Sequence, residues 1–142
     1  MTALIVTKTP DAVIDASTVM RALVDGNESA LDWLGRIRAD ELAGAWPELA
    51  VVEVANGLTT LVRAGRLSDV LARRTLVSAL DLPIRAESLA VLVSAALGVA
   101  LSRGLSAYDA CYVVLAETLG GPLVTADRRL AAATKNAVLI TA

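Results

Sequence analysis

Carboxylates are the side chains of this sequence that could carry out demanding chemistry. The chain contains no histidine, which excludes serine–histidine triads, histidine acid–base pairs and nearly every zinc site. Carboxylate oxygens suit Mg²⁺ or Mn²⁺ far better than Zn²⁺. The acids whose positions matter most are Asp15, Glu53, Asp109 and Asp127. Any demanding reaction is therefore expected to use carboxylates with a divalent cation.

Three of these acids also fit an ordinary structural role. Asp15 and Asp127 each follow a short apolar run and precede a predicted helix, where an aspartate caps the free amide groups of the first turn. Ser106 and Asp109 fit a capping box, in which the later residue reaches back to the cap. A carboxylate in a first helical turn also points toward the ends of the strands, so capping and metal binding are compatible at Asp109.

Glu53 belongs to a polar stripe with helical spacing, which is typical of a solvated helix face. Most other positions of this predicted helix are apolar, so a stripe this narrow equally suits the rim of a cleft. The pattern alone leaves both interpretations open. The stripe consists of Glu53, Asn56, Thr60 and Arg63.

Two pairs of residues next to the acids could contact a phosphate-bearing substrate. Arg128 and Arg129 follow Asp127 and could hold phosphate, although arginines on a short helix usually face solvent. Tyr108 and Tyr112 flank Asp109 and could stack on bases. In a chain poor in aromatic residues, the tyrosines are better explained as residues at the edge of the core.

The elements that must position these residues are predicted from apolar runs, caps and breakers. Ser17 or Thr18 is expected to cap the first helix, Pro47 to begin the third, and Gly104 to end the fifth. Short strands alternate with helices, which predicts an α/β fold with a parallel sheet covered on both faces and a site at the carboxyl ends of its strands. The predicted strands are 12–14, 42–46, 82–84, 123–125 and 137–141, and the predicted helices are 17–24, 28–38, 48–64, 68–80, 87–101, 106–119 and 127–133.

Length and composition favour one domain spanning residues 1–142. The chain is 56% hydrophobic, which is ample for a sizeable core. It contains no internal repeat, low-complexity tract or linker that would divide it. Residues 1–10 precede the first predicted strand and are assigned no role.

The net charge of −2 argues against a broad basic face for nucleic acid. A phosphate-bearing substrate would need local cations instead. Arginines could supply them, because all of the thirteen basic residues except Lys8 and Lys135 are arginines, which bind phosphate bidentately.

The sequence predicts a cytoplasmic protein without a membrane span. The single cysteine, Cys111, cannot form an internal disulfide, in agreement with a reducing compartment. The short apolar run at residues 3–6 does not resemble a secretory signal. The longest uncharged stretch, between Glu87 and Arg103, falls short of the ~20 apolar residues that a span needs and is predicted to form a buried helix.

The predicted helix 48–64 carries more apolar positions than the single stripe that a surface helix needs. Part of that surface is expected either to face a partner chain or to be fully buried, and the pattern does not choose between these. The apolar positions are Ala50, Val51, Val52, Val54, Ala55, Leu58, Leu61 and Val62.

Four short motifs occur in a distinctive order along the chain. They are VIDAS at 13–17, the segment from Pro47 through EVAN at 53–56, LSAYDA at 105–110 and LVTAD at 123–127. This order resembles PIN-domain ribonucleases, and more narrowly the VapC toxins of bacterial toxin–antitoxin pairs. The likeness runs from about Ala12 to the C-terminus, so residues 1–10 are an extension relative to the pattern.

The resemblance implies a fold and a set of site residues. The fold would be a three-layer α/β/α domain with a short, mostly parallel central sheet flanked by helices. The four acids would form a cluster holding Mg²⁺, for which Mn²⁺ could substitute. Ser17 and Thr125 would be supporting hydroxyl groups at that cluster.

The resemblance also implies an activity and partners. The protein would be an endoribonuclease toxin in which a metal-activated water hydrolyses RNA phosphodiester bonds, leaving a 5′-phosphate and a 3′-hydroxyl. A VapB-like antitoxin would sequester it, and the toxin itself would be a homodimer. No membrane partner is expected.

Three alternatives compete with this hypothesis. A receiver-type phosphoacceptor domain would use Thr125 and Lys135, but the sequence has Ala16 after Asp15 and only Asp81 near mid-chain as an acceptor. A catalytically silent interaction module with a PIN fold would be suggested by missing acids, and all four are present. A structure-specific DNA nuclease is chemically similar, but such nucleases resemble longer chains with added elements that bind DNA. This chain of 142 residues has no room for those elements.

Overall fold

The computed structural model describes residues 9–142. Of the predicted N-terminal extension, residues 1–10, only Thr9 and Pro10 belong to this part, and the remainder lies outside the described residues. Within residues 9–142, seven helices and five strands follow one another as β1 (Ala12–Ile14), α1 (Ala16–Leu23), α2 (Glu28–Arg38), β2 (Gly44–Pro47), α3 (Leu49–Arg63), α4 (Asp69–Leu80), β3 (Ile84–Glu87), α5 (Leu89–Arg103), α6 (Ala107–Leu119), β4 (Leu123–Thr125), α7 (Arg128–Ala131) and β5 (Ala137–Leu139).

The strands form one sheet in the order β3-β2-β1-β4-β5, and every neighbouring pair is parallel. β1 and β4 lie in its interior, where Val13 is paired with Leu123 and Ile14 with Val124. These side chains are fully buried, as expected for a parallel sheet covered by helices. The predicted α/β fold, with a parallel sheet flanked by helices, is confirmed.

The parallel arrangement brings several predicted site residues to one edge of the sheet. Asp15 follows β1 directly, and Thr125 is the last residue of β4. Glu53 lies on α3, which begins two residues after β2 ends. The carboxyl ends of parallel strands share one edge, so the connections that follow them converge there.

Two predicted helix starts are wrong. The first helix is capped by Asp15, whose carboxylate accepts a hydrogen bond from Thr18 N, rather than by Ser17 or Thr18. Pro47 ends β2 instead of beginning α3, because the pairing with β3 continues through Glu48 N, which donates to Glu87 O at 2.9 Å.

Pairing with β2 also decides where β3 lies. The strand predicted at 82–84 occupies 84–87, because Gly44 pairs with Ile84 and Pro47 with Glu87. β2 itself is shifted to 44–47 from the predicted 42–46. By contrast, α2 has its predicted bounds, with Asn27 as its cap, and Gly104 ends α5 in the left-handed conformation.

The predicted burial of the helix after Glu87 is wrong. α5 buries only one face, formed by Leu92, Ala96 and Ala100. The helix packs mainly on α6, and large apolar side chains elsewhere on its surface stay exposed. Val91, Val93, Leu97 and Leu101 are exposed there.

α3 exposes fewer large apolar side chains than α4 and α5 do. α3 buries Leu49, Ala50, Val54 and Leu58, and of its large apolar side chains Val52 is exposed. The larger exposed apolar surfaces lie on α4 and α5. On α4 they are Val70, Leu71, Val77 and Leu80.

Within residues 9–142, no single helix is long and apolar enough to cross a membrane. α5 and α6 reach the required length and composition only when taken together, and their axes are bent by 108° relative to each other.

Candidate active site

Asp15 is a buried carboxylate at the carboxyl end of β1. Its Oδ1 accepts hydrogen bonds from Ser17 Oγ and from Thr18 N, the latter at 3.1 Å. Its Oδ2 accepts a hydrogen bond from Thr125 Oγ1 at 2.7 Å. Burial raises the pKa of Asp15 above its ordinary value, although these hydrogen bonds act in the opposite direction. Asp15 therefore caps α1, and hydrogen bonds to both of its carboxylate oxygens hold its side chain in place.

Ser17 and Thr125 link the acid to the chain that follows β4. Ser17 Oγ accepts a hydrogen bond from Ala126 N at 2.9 Å, and Thr125 Oγ1 accepts one from Asp127 N at 3.0 Å. The two hydroxyl oxygens lie 3.3 Å apart. The predicted supporting hydroxyls thus lie around Asp15.

Thr18 is a further part of this network that the sequence interpretation did not assign to the site. Its buried hydroxyl donates to Val124 O at 2.9 Å and so ties α1 to β4. A threonine one turn into a helix carries no signal of such a contact, because the partner lies 106 residues away in sequence.

Glu53 is half-buried and is the first residue of the predicted polar stripe on α3. Its Oε1 accepts a 2.6 Å hydrogen bond from the Tyr112 hydroxyl. Burial raises the pKa of Glu53, and the charges of Asp15 and Asp109 raise it further, while the Tyr112 hydrogen bond lowers it. Glu53 is therefore near enough to Asp15 and to Asp109 for each of their charges to act on it.

Asp109 lies in the first turn of α6, with its amide donating to Ser106 Oγ at 3.1 Å. This contact is one half of the predicted capping box. The carboxylate itself interacts with Arg129, whose Nη2 donates to Oδ2 at 3.3 Å. Both arginines of α7 are exposed, and the side chain of Arg129 contacts Asp109.

Asp127 is exposed and caps α7. Its Oδ1 accepts hydrogen bonds from Arg129 N at 2.9 Å and Leu130 N at 3.2 Å. The structural role considered for this residue is therefore present. Its link to Asp15 is indirect and passes through the hydroxyl of Thr125.

The acids do not form a closed cage for a cation. Within residues 9–142, no three carboxylate, cysteine or histidine side chains are arranged to hold one metal ion together. Mg²⁺ does not need such a cage, because it keeps several waters and commonly uses only one or two carboxylates together with substrate phosphate.

The donor set fits Mg²⁺ or Mn²⁺ on chemical grounds. Every candidate ligand is an oxygen, and burial raises the pKa values of Asp15 and Glu53, an unfavourable effect on their charged forms that a bound cation would offset. Asp15 and Glu53 with Asp109 are the residues best placed to hold the ion, with Asp127 at the margin.

Tyr112 is a second residue, after Thr18, whose contribution the sequence interpretation missed. It is buried, as expected for a core residue, but its hydroxyl is used at Glu53. Burial raises the pKa of Tyr112 well above its usual value, so the phenol remains a donor. The available signal was its spacing of three residues from Asp109, which places both on one side of α6. Tyr108, by contrast, is 67% exposed and is not a core residue.

A cleft of about 620 Å³ adjoins Ser17 and Glu53 between α1 and α3. Gly57 forms part of its wall, where an added Cβ would lie 3.1 Å from Met20 Cε. The other lining residues include two arginines, Arg21 and Arg66. Arg21 is ion-paired with Asp25, which also lines the cleft, so the lining beyond Glu53 carries charges of both signs.

Comparison with known proteins agrees with this fold. The PIN domain model matches residues 12–136. Ribonuclease VapC3 of Pyrobaculum aerophilum is 36% identical over 121 residues, which cover 84% of this chain and 91% of that protein. The crystal structure of PAE2754 from Pyrobaculum aerophilum superposes with a TM-score of 0.73 at 30% identity, covering 93% of this chain and 85% of that one.

A more distant structure shares the fold. A toxin–antitoxin complex from Klebsiella pneumoniae contains a chain that superposes with a TM-score of 0.63 at 15% identity, covering 92% of this chain and 98% of that one. The family match spans β1 to the residue before β5 and includes all four acids. The resemblance predicted from the four motifs is confirmed, and the chain belongs to the PIN-domain family, with VapC ribonucleases among its relatives.

Proposed function

We propose that this protein is a magnesium-dependent endoribonuclease and the toxin of a bacterial toxin–antitoxin pair. The observation that carries the proposal is the buried Asp15 carboxylate at the sheet edge together with Glu53, whose pKa is raised by burial and further by the charges of Asp15 and Asp109. The ribonuclease name of the curated VapC relative supports the same activity.

Each residue near the sheet edge has a proposed task. Asp15, Glu53 and Asp109 are assigned to the cation, one or two of them as direct ligands and the rest through its bound waters, and Asp127 contributes from the margin. Ser17 and Thr125 hold the Asp15 carboxylate in one orientation through their hydroxyls. When bound, Mg²⁺ or Mn²⁺ would supply an activated water and stabilise charge during in-line displacement at phosphorus. The products would carry a 5′-phosphate and a 3′-hydroxyl.

The cleft between α1 and α3 is the proposed path of the RNA strand. It begins at Glu53 and Ser17, and Arg66 lies toward its far end, beyond the last residue of α3. Glu53 and Thr60 are seven residues apart on α3, or roughly 10 Å along a helix axis. Arg66 is proposed to contact a phosphate of the RNA at the far end of the cleft, and Arg129 to contact one near Asp109.

Cleavage of structured RNA by purified protein tests the enzymatic proposal. We expect cleavage with Mg²⁺ or Mn²⁺, none with EDTA, and loss of activity in Asp15→Asn and Asp109→Asn with the fold retained. Asp32→Asn on α2, an exposed position, is the matched control and should remain active. Undiminished cleavage in EDTA would contradict the proposal, and an inactive wild type would favour the silent interaction module.

The toxin proposal rests on the VapC relatives and has its own test. We expect expression of the wild-type chain in the bacterial cytoplasm to arrest growth and Asp15→Asn to abolish the arrest. Co-expression of the protein encoded by the adjacent small reading frame should restore growth by occupying the acids. Normal growth with intact, soluble wild-type protein would argue against a toxin.

A homodimer is the proposed assembly, supported by the exposed apolar side of α5. The receiver-type alternative is not favoured, because its acceptor candidate, Asp81, ends α4 instead of following a strand. Lys135 lies between α7 and β5 and is exposed, as expected for a surface lysine.

A further inference from the structure

Tyr112 and Glu53 form a contact between two helices at the edge of the proposed metal site. The Tyr112 hydroxyl on α6 donates a 2.6 Å hydrogen bond to Glu53 Oε1 on α3. The tyrosine ring is buried, with 2% of its surface exposed. The tyrosine side chain is therefore fixed by packing. Glu53, which accepts its hydrogen bond, lines the cleft between α1 and α3.

This contact restricts the orientation of the Glu53 carboxylate. A glutamate has three rotatable side-chain bonds, and free rotation would spread its oxygens over many positions. With Oε1 held by a fixed donor, Oε2 remains available in a limited range of directions. Groups that hydrogen-bond to metal-binding carboxylates orient them in this way and preserve their affinity for the ion.

We propose that Tyr112 is a positioning residue that orients Glu53 toward the divalent cation of the proposed site. The inference rests on the proposed function, since it assumes that Glu53 binds a metal ion. It adds a residue from the hydrophobic core of α6 to the machinery. It also gives α6 two contributions one turn apart, the carboxylate of Asp109 and the hydroxyl that holds Glu53.

The α6 helix offers a matched pair of variants for the test. Tyr112→Phe removes only the hydroxyl that reaches Glu53, and Tyr108→Phe removes the same group from an exposed ring one turn earlier. The measurement is calorimetric titration of the whole protein with Mn²⁺, which does not depend on RNA cleavage. We expect Tyr112→Phe to weaken Mn²⁺ binding about 10- to 100-fold and Tyr108→Phe to leave it unchanged.

A double-mutant comparison separates positioning from a general effect on the fold. In a Glu53→Gln background, Tyr112→Phe should weaken Mn²⁺ binding less than about twofold, because the carboxylate that it orients is gone. An equal loss in both backgrounds would show a merely structural role and overturn the proposal. Any effect of the missing hydroxyl on folding would be present in both backgrounds and would cancel.

The outcomes also distinguish this inference from the proposed function. Wild-type protein that binds Mn²⁺, together with unweakened binding by Tyr112→Phe, would overturn the positioning role alone. Wild-type protein that binds no Mn²⁺ would overturn both. For the active enzyme we expect Tyr112→Phe to lower kcat at saturating RNA while KM for RNA changes little. The reason is that the hydroxyl contacts Glu53 and not the proposed path of the RNA.

Discussion

Thr125 Oγ1 donates a 2.7 Å hydrogen bond to Asp15 Oδ2 across the carboxyl ends of the neighbouring strands β4 and β1. The same oxygen accepts a hydrogen bond from Asp127 N at 3.0 Å. Both Thr125 and Asp15 are buried. One hydroxyl therefore holds the central acid of the site and the start of the turn into α7.

Replacement of this hydroxyl by a methyl group is expected to destabilise the protein. Thr125→Val keeps the shape of the side chain but leaves the buried Asp15 carboxylate and the Asp127 amide each short of one partner. The expected loss in the free energy of unfolding is about 1–3 kcal/mol. Urea denaturation measures it, with Thr59→Val on the exposed side of α3 as the control. Equal losses in the two variants would contradict the role assigned to Thr125.

The pH dependence of stability should reflect the raised pKa values of Asp15 and Glu53. A carboxyl whose pKa is higher in the folded state stabilises the fold while protonated, fully below the ordinary values of 3.8 and 4.5. That contribution is lost as pH rises through the folded pKa. In EDTA, these two groups should therefore make the protein more stable near pH 5 than near pH 7, and Mg²⁺ should raise the melting temperature more at pH 7.

Glu53→Gln provides the matched change for this experiment. The amide cannot ionise, so the variant should melt at a higher temperature than wild type in EDTA at pH 7 and should respond less to Mg²⁺. Asp32→Asn on α2 removes a charge from an exposed position and should respond to Mg²⁺ as wild type does. A melting temperature that is indifferent to Mg²⁺ and to Glu53→Gln would show that the carboxylates do not act together.

The RNA path can be tested with two arginines three residues apart. Arg66 lines the cleft beside Glu53, whereas Arg63 lines the separate pocket between α3 and α4. In an Asp15→Asn background, which prevents cleavage, Arg66→Gln should weaken RNA binding and lower the slope of its salt dependence by roughly one unit. Arg63→Gln should change neither quantity. The reverse result would place the strand along α4.

The proposed homodimer can be tested on the exposed side of α5. Leu97→Glu places a charge within that apolar surface and should convert a dimer to a monomer in light scattering at micromolar concentration. Leu31→Glu, at an exposed apolar position of α2, is the control and should stay dimeric. Wild-type protein that is monomeric at this concentration would refute the assembly, and a dimeric Leu97→Glu would place the interface elsewhere.

The sequence alone determined the features that depend on neighbouring residues. Asn27 and the apolar spacing of α2 set its bounds, and Gly104 and Ser106 set the boundary between α5 and α6, because caps and left-handed residues act locally. The apolar runs at 12–14 and 123–125 are long enough only for buried strands. The position of Asp15 directly after such a strand predicts a helix cap, which the structure confirms, and the order of the four motifs made Asp15 a candidate site residue.

Only the tertiary structure decided the features that depend on distant partners. The polar stripe on α3 has the same spacing whether it meets water or a second helix, so the pattern could not show that Glu53 receives the hydroxyl of Tyr112, 59 residues later. The position of β3 was decided by its pairing with β2. Part of the apolar surface of α5 stays exposed because α6 covers only one face of that helix. Apolar spacing reports that a surface prefers burial, while the packing of other elements decides whether that surface is covered.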